Sequence, residues 1–301
     1  MAHHADPTLD LPQFVSLDDL EAYDTTNALI YGGSGNGKTF FAGTAGPRTL
    51  YVNIGDGIKT LKSPLFKQKI GANPIVVNIN EKLTSRGMVE TATAFNMVGD
   101  TIDYALNHMS DRFDTIVLDD ATALRKFAMN KGLEINQKLG KSRSLDSGKS
   151  FDLVMKAVQD YGIEMDLIEQ FIASYTVIAR EAGKHFIMTA HQRLTYEKQK
   201  DSKGNTLIGA TPILSKVSPG FTGQTFPDNV PQYFDWVFRM EVVAGGSQGV
   251  VFRARTQPDD VHTAKCRDGG VFSVVEPNPN FLNMLQKVKD KRAEIDKKRG
   301  K

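Results

Sequence analysis

Short apolar runs and helical repeats alternate along the first two thirds of the chain. Ala28–Tyr31, Thr49–Ile54, Pro74–Val77, residues 113–118 and His185–Thr189 are brief, nearly continuous apolar stretches closed by Gly, Asp or polar residues. Such runs predict strands buried on both faces. Between them, Phe95, Val98, Ile102, Ala105 and Met109 recur at helical spacing and predict an amphipathic helix over about 86–109. Ile168, Phe171, Ile172, Tyr175 and Ala179 predict a second, which Gly183 stops. Shorter helices are expected from Lys38, ended by Gly43, Gly46 and Pro47, and over Ala121–Met129. Strand and helix in alternation predict an α/β fold, a parallel sheet with helices on both faces.

The texture changes after Gln192. Leu194–Gln199 and Thr206–Ala210 read as a hairpin around residues 201–205. Phe234–Val243 and Gly249–Thr256 read as antiparallel strands, as do Thr263–Arg267 and Val271–Val275 around Asp268-Gly269-Gly270. Residues 130–150 and 211–231 are polar or rich in Gly, Pro and Ser, and are expected to be mobile loops. Phe281, Leu285 and Val288 open a final helix, whose tail from Lys287 to Lys301 carries eight basic and three acidic residues and fits a solvated helix end. This divides the chain into a lead-in (1–25), a core (26–280) and a basic C-terminal helix and tail (281–301).

Composition narrows the choice of function only a little. With 301 residues, 40% hydrophobic and 24% charged, the chain is ample for a sizeable core. The net charge of +2 gives no global argument for nucleic acid or membrane, so any such partner has to be sought in local patches. A lone cysteine, Cys266, excludes an internal disulfide and fits a reducing compartment. There is no apolar run near 18 residues and no signal-peptide pattern at Met1–Asp6, so no membrane association is expected.

Chemistry concentrates at Gly32-Gly33-Ser34-Gly35-Asn36-Gly37-Lys38-Thr39-Phe40. It follows a buried strand, opens a helix, and fills the pattern G-x-x-x-x-G-K-[ST] of a phosphate-binding P-loop. Glycines let successive backbone N–H groups converge on one anion, and the helix start adds its positive end. Lys38 is then placed for the β- and γ-phosphates of ATP, and the Thr39 hydroxyl for Mg²⁺. The second signal is Asp119-Asp120, 119 − 38 = 81 residues after Lys38, at the end of an apolar strand. A carboxylate there can hold Mg²⁺ directly or through water. Asp119 is assigned that role, and Asp120 the N-cap of the next helix.

Other candidates leave two readings open each. The basic residues of 130–150 (Lys131, Lys138, Lys141, Arg143, Lys149) fit a solvated insertion or a DNA-facing loop. Phe221, Phe226 and Lys216 in the 211–231 loop fit local packing or a grip on single strands by base stacking. Lys265 and Arg267, two apart on a predicted strand, face one way. They suit one anionic target, or an edge strand blunted against aggregation.

Five ordered stretches together resemble the phage-encoded RecA-like ATPases of the Sak type, which are single-strand annealing proteins. These are Leu29–Thr39, Asp114–Asp120, Ile187–His191, Tyr233–Val237, and Arg255-Thr256-Gln257-Pro258 followed by Ala264-Lys265-Cys266-Arg267. The resemblance covers about residues 26–285 and implies a RecA-like ATPase core that binds ATP and Mg²⁺, acts on single-stranded DNA in the host bacterium's cytoplasm, and assembles head-to-tail into a homo-oligomer. A phage single-strand-binding protein is a further implied partner. It also implies that His191, with Gln192 beside it, senses the γ-phosphate, and that Lys265 and Arg267 reach a neighbour's phosphates. The sequence departs from the pattern at Asn53–Gly57, where RecA-like proteins carry a Glu that orients water; Asp56 is the nearest substitute. A helicase motor or loader of the same fold, and a nucleotide-dependent assembly protein with negligible turnover, fit the same pocket.

Overall fold

The computed structural model describes residues 24–55, 57–85, 89–139, 143–144, 152–153, 156–200, 202–203, 205–207, 209–245 and 250–299. Asp56, expected as the substitute base, lies outside them. The first half is built as the alternation predicts: β1 (Asn27–Gly32), α1 (Lys38–Gly43), β2 (Thr49–Asn53), α2 (Ile58–Leu61), α3 (Pro64–Lys69), β3 (Ile75–Asn78), α4 (Ala94–Met109), β4 (Thr115–Asp119) and α5 (Ala121–Ile135). A two-residue pair, β5 (Arg143–Ser144) and β6 (Asp152–Leu153), precedes α6 (Val158–Glu181) and β7 (His185–Glu197). Then come β8 (Ile213–Pro219), α7 (Phe226–Asn229), β9 (Trp236–Ala244), β10 (Val250–Arg255), β11 (Lys265–Cys266), β12 (Val275–Pro277) and α8 (Phe281–Arg299).

The main sheet runs β12-β10-β9-β1-β7-β4-β2-β3, with β8 added beside β7 and β11 beside β9. Strands β3, β2, β4, β7, β1 and β9 pair in parallel, and β10, β11 and β12 join antiparallel. This is a RecA-like P-loop core with C-terminal antiparallel strands and a final helix. Strands β1, β2 and β4 are buried at every position, which is why they read as unbroken apolar runs. One core lies between the sheet and α4, α5 and α6, around Leu29, Ile116, Leu118 and Ile172. The other lies under α1 and α8, where Trp236, Phe238, Phe272 and Phe281 pack edge-to-face or stacked.

Several expectations need correction. Helix α4 begins at Ala94 rather than near 86, because Leu83 and Val89 bridge to each other first. Helix α5 runs on through 130–135 where a loop was expected, and Lys131 and Lys138 are held by Glu134 (2.6 Å) and Asp160 (2.8 Å). Those two lysines are therefore not a free DNA-facing pair; Lys141 and Lys149 lie outside the described residues. Strand β7 does not end near Gln192: its far half, Gln192–Glu197, pairs antiparallel with β8. The expected hairpin is present only at its tip, where Lys200 bridges Thr206 antiparallel and the Leu207 N–H donates to Gln199 O at 2.8 Å; the long partner of β7 is Ile213–Pro219, and the expected loop 211–231 holds a strand and a helical turn. Val271–Val275 is not a partner for β11 either; β11 pairs with β9 and β12 with β10.

Phe221 and Phe226 are each only 3% exposed and meet edge-on at 5.5 Å inside the core. Neither ring has a face left for a base. Lys216 is paired with Asp228 at 2.6 Å. Burying two phenyl rings between strand and helix removes far more apolar surface from water than leaving them on a loop tip would. The base-stacking reading of this loop is thereby overturned.

Candidate functional site

Period two decides which side chains meet at the top of the sheet. Strands β2, β4 and β7 are neighbours, and alternate residues of each face α1. Tyr51, Asp119 and Thr189 fall on that face, and their polar atoms converge. The Thr39 hydroxyl donates to Asp119 Oδ2 at 2.7 Å, and Tyr51 OH donates to the same oxygen at 2.5 Å. Thr189 Oγ1 donates to Asp119 Oδ1. Asp119 is only 5% exposed, so three hydroxyls take the place of the water a carboxylate would otherwise need. Burial first, and then the Asp119 charge, hold the Tyr51 phenol far above its ordinary range, so it stays a donor.

The loop after β1 surrounds Lys38. Its ammonium donates to the carbonyls of Gly32 (3.1 Å) and Gly33 (2.8 Å), and the residue is 8% exposed. Burial lowers its pKa, and the Asp119 and Asp120 carboxylates pull back the other way. Gly37 stands at φ 84°, and a Cβ there would come within 2.6 Å of the Phe252 ring. Asn36 Nδ2 donates to Met240 O at 3.0 Å and so ties the loop to β9.

Mg²⁺ can be tested against these residues. Thr39 and Asp119 offer a hydroxyl and a carboxylate, the hard oxygen donors that such an ion takes. A Cβ on Gly57 would lie 2.5 Å from Asp119 Oδ2 and 3.1 Å from Thr39 Oγ1, so the backbone leaves this spot open to something other than a side chain. Thr39 and Asp119 therefore fit the ion, and the loop glycines with Lys38 fit phosphate.

Asp120 caps α5, accepting from the Ala123 N–H at 2.7 Å. His191 pairs in register with Gly32 at the end of the P-loop strand. Its Nε2 lies 3.6 Å from Asp120 Oδ2, its N–H donates to Thr122 Oγ1 at 3.2 Å, and its ring is partly exposed. The neighbouring Gln192 has a buried Oε1 with no partner among the described residues. Both thus sit beside the loop that holds Lys38.

Lys265 and Arg267 are elsewhere. Lys265 pairs with Val237, which pairs with Leu29, three residues before Gly32 on β1. The Arg267 N–H donates to Asp235 O, and the Asp235 N–H donates to Asn27 O, lower still. At about 3.3 Å per residue the pair is on the order of 10–16 Å below the loop of its own chain. Both side chains reach the 231–235 segment: Lys265 Nζ donates to Pro231 O (2.7 Å), and Arg267 to Asp235 (2.8 Å) and Gln232 O (3.1 Å). They do face one way, as their spacing predicts.

Sequence reading missed Tyr51, Thr189, Gly57 and Phe252. The signal for the first two was a hydroxyl inside an apolar strand, on the same parity as the strand face that bears Asp119. Gly57 and Phe252 approach the site only through non-local pairing.

The profile of the AAA domain family matches residues 24–267. A crystal structure of the flagellar accessory protein FlaH from Methanocaldococcus jannaschii is similar at 12% identity, with a TM-score of 0.36, over 85% of this chain and 87% of that one. No curated protein matches the chain. Among the described residues no helix is long and apolar enough to cross a membrane. The match spans most of the chain and contains both Lys38–Thr39 and Asp119: the chain belongs to the AAA domain family of P-loop ATPases.

Proposed function

We propose that this protein binds and hydrolyses ATP with Mg²⁺ held at Thr39 and Asp119, and that it does so as a head-to-tail assembly on single-stranded DNA, in the manner of the phage Sak-type annealing proteins. One observation carries the nucleotide reading. Two motifs 80 positions apart meet in a 2.7 Å hydrogen bond between Thr39 and Asp119, beside an ammonium engaged, among the described residues, only by loop carbonyls. The single-stranded DNA, the phage setting, the host cytoplasm, the phage single-strand-binding protein and the shared interface are supported by the ordered resemblance over residues 26–285.

Phosphoryl transfer depends on positioning and on charge placed where charge moves. Lys38 exchanges its two carbonyl acceptors for the β- and γ-phosphate oxygens. The loop amides bind the rest of the phosphate chain. Thr39 and Asp119 hold Mg²⁺, which when bound offsets the charge of the β- and γ-oxygens. Tyr51 and Thr189 keep both Asp119 oxygens oriented. His191 and Gln192, midway along β7 where it passes the end of β1, read whether a γ-phosphate is present. Lys265 and Arg267 let go of the 231–235 segment and act on the neighbouring subunit's phosphates.

A second reading, an assembly protein with negligible turnover, has one observation in its favour. Among the described residues no glutamate hydrogen-bonds to Thr39, Asp119 or His191, and Asp120 is committed to capping α5. Turnover of ATP measured with and without single-stranded DNA and Mg²⁺ separates the two. DNA-stimulated, Mg²⁺-dependent hydrolysis is expected; saturable ATP binding with no hydrolysis under any condition would establish the second reading.

A further inference from the structure

Between α1, the upper parts of β9 and β10, and the start of α8 lies a cavity of about 290 Å³. Its walls include Phe40, Ile70, Met240, Phe252, Asn278 and Asn283. Phe40 and Phe252 meet at 5.5 Å with their planes 34° apart, and Phe40 is backed edge-on by Phe66 at 5.5 Å. The Phe252 ring also presses on the phosphate loop, since it is what a Cβ on Gly37 would strike. The cavity therefore opens where the loop ends. Its floor is fixed: the Phe281 N–H donates to Thr44 Oγ1 at 2.7 Å, and the Asn278 N–H donates to Phe252 O at 2.8 Å.

We propose that this cavity is the nucleobase subsite and that it takes a purine, which stacks on Phe252 and Phe40 and is edged by the carboxamides of Asn278 and Asn283. The inference rests on the nucleotide reading above and extends it to the far end of the ligand. A ligand with a flat aromatic head joined to a phosphate chain matches aromatic walls contiguous with a phosphate loop. The two asparagines are exposed, and their side chains make no hydrogen bond among the described residues. A carboxamide offers both a donor pair and an acceptor, as the edge of a purine requires.

The test compares ATP with inorganic tripolyphosphate, both with Mg²⁺, by titration calorimetry on the full chain. The wild type is expected to bind ATP at least about tenfold more tightly than tripolyphosphate, since stacking alone is worth that much. Phe252→Leu keeps an apolar side chain against Gly37 but removes the ring; it should lose roughly tenfold for ATP and leave tripolyphosphate within about twofold. Asn283→Ala, on the rim and away from the core, should lose about threefold for ATP alone. A wild type that binds both ligands equally overturns the subsite and spares the phosphate site. Equal losses for both ligands in Phe252→Leu overturn it too, because the ring would then only brace the loop. An unchanged ATP preference in both variants does the same. A wild type that binds neither ligand overturns the nucleotide reading itself, and the subsite with it.

Discussion

The two edges of the central sheet hold charge in opposite ways. At the upper edge, where β1 and β4 end, Lys38 rests on two loop carbonyls and Asp119 on three hydroxyls. No ion pair within 4 Å joins those two groups, so each keeps a charge that a ligand can use. At the lower edge, Asp235 and Arg267 cancel each other's charge. Asp235 Oδ2 accepts the Asn27 N–H at 2.8 Å while its Oδ1 takes Arg267, and Lys265 is spent on Pro231 O. Burial, followed by the nearness of Arg267, depresses the Lys265 pKa. At the upper edge both groups have neutral partners, whereas at the lower edge Asp235 and Arg267 are partnered by charge. A trans role for Arg267 must therefore begin by breaking an ion pair, while Lys265 and Lys38 each have only carbonyl acceptors to exchange.

The largest effect should come from Lys38→Ala. Nucleotide binding or turnover should fall below detection by calorimetry and phosphate release, with the fold intact by circular dichroism. Wild-type binding there would erase the distinction between the edges. Next, Asp119→Asn should cut Mg²⁺-dependent turnover by about 10²–10³ while weakening nucleotide binding less. Asp120→Asn should do much less, because Asn caps a helix nearly as well as Asp. Equal losses at the two positions would mean that they work as a unit.

Lys265→Ala tests the lower edge. DNA-stimulated turnover should drop at least about tenfold, with ATP binding by isolated subunits unchanged. Mixing it with Lys38→Ala should restore part of the activity, since some interfaces then pair an intact loop with an intact basic pair. If fluorescence transfer shows that subunits exchange and activity stays at zero, the shared-site arrangement fails. Tyr51→Phe should raise the Mg²⁺ concentration for half-maximal turnover by about tenfold, as loss of a group orienting a metal ligand does, and leave Mg²⁺-free nucleotide affinity unchanged.

The smallest effect concerns His185, also at the lower edge, whose Nδ1 accepts the Thr26 N–H at 3.0 Å. Burial, and then Lys289, lower its pKa to about 4. The unfolded chain therefore takes up this proton first as pH falls. Stability should decline between about pH 6.5 and 4 by roughly 2–3 kcal/mol and gain no further slope from this group below that. Urea midpoints across the interval should show the decline, and His185→Asn should flatten it.

Much of the upper edge was legible in the sequence, because its determinants are local. Gly32–Thr39 must form a loop whatever else the chain does, and a carboxylate closing an apolar strand stands at that strand's end. Asp120 announced its cap by position alone. The lower edge and the antiparallel half were not legible, because their pairings join distant residues. Ile213–Pro219 is a strand only because β7 continues past Gln192 to meet it. Phe221 and Phe226 looked like loop aromatics and are core, since what buries them comes from α5, α6 and β8. Tyr51 read as one more apolar strand residue until its hydroxyl had a neighbour.

The hydrogen bond from the Phe281 N–H to Thr44 sets an order of events during synthesis. Phe281 is fully buried against Phe41, Trp236 and His185, 237 positions after the Thr44 that it clamps. A nascent chain that has released its P-loop from the ribosome still lacks the lid of the second core until residues 281–288 emerge. The helix that the motif opens is clamped by a residue made 237 positions later. A ribosome that stalls before that point thus displays the motif without the seat that stabilises it.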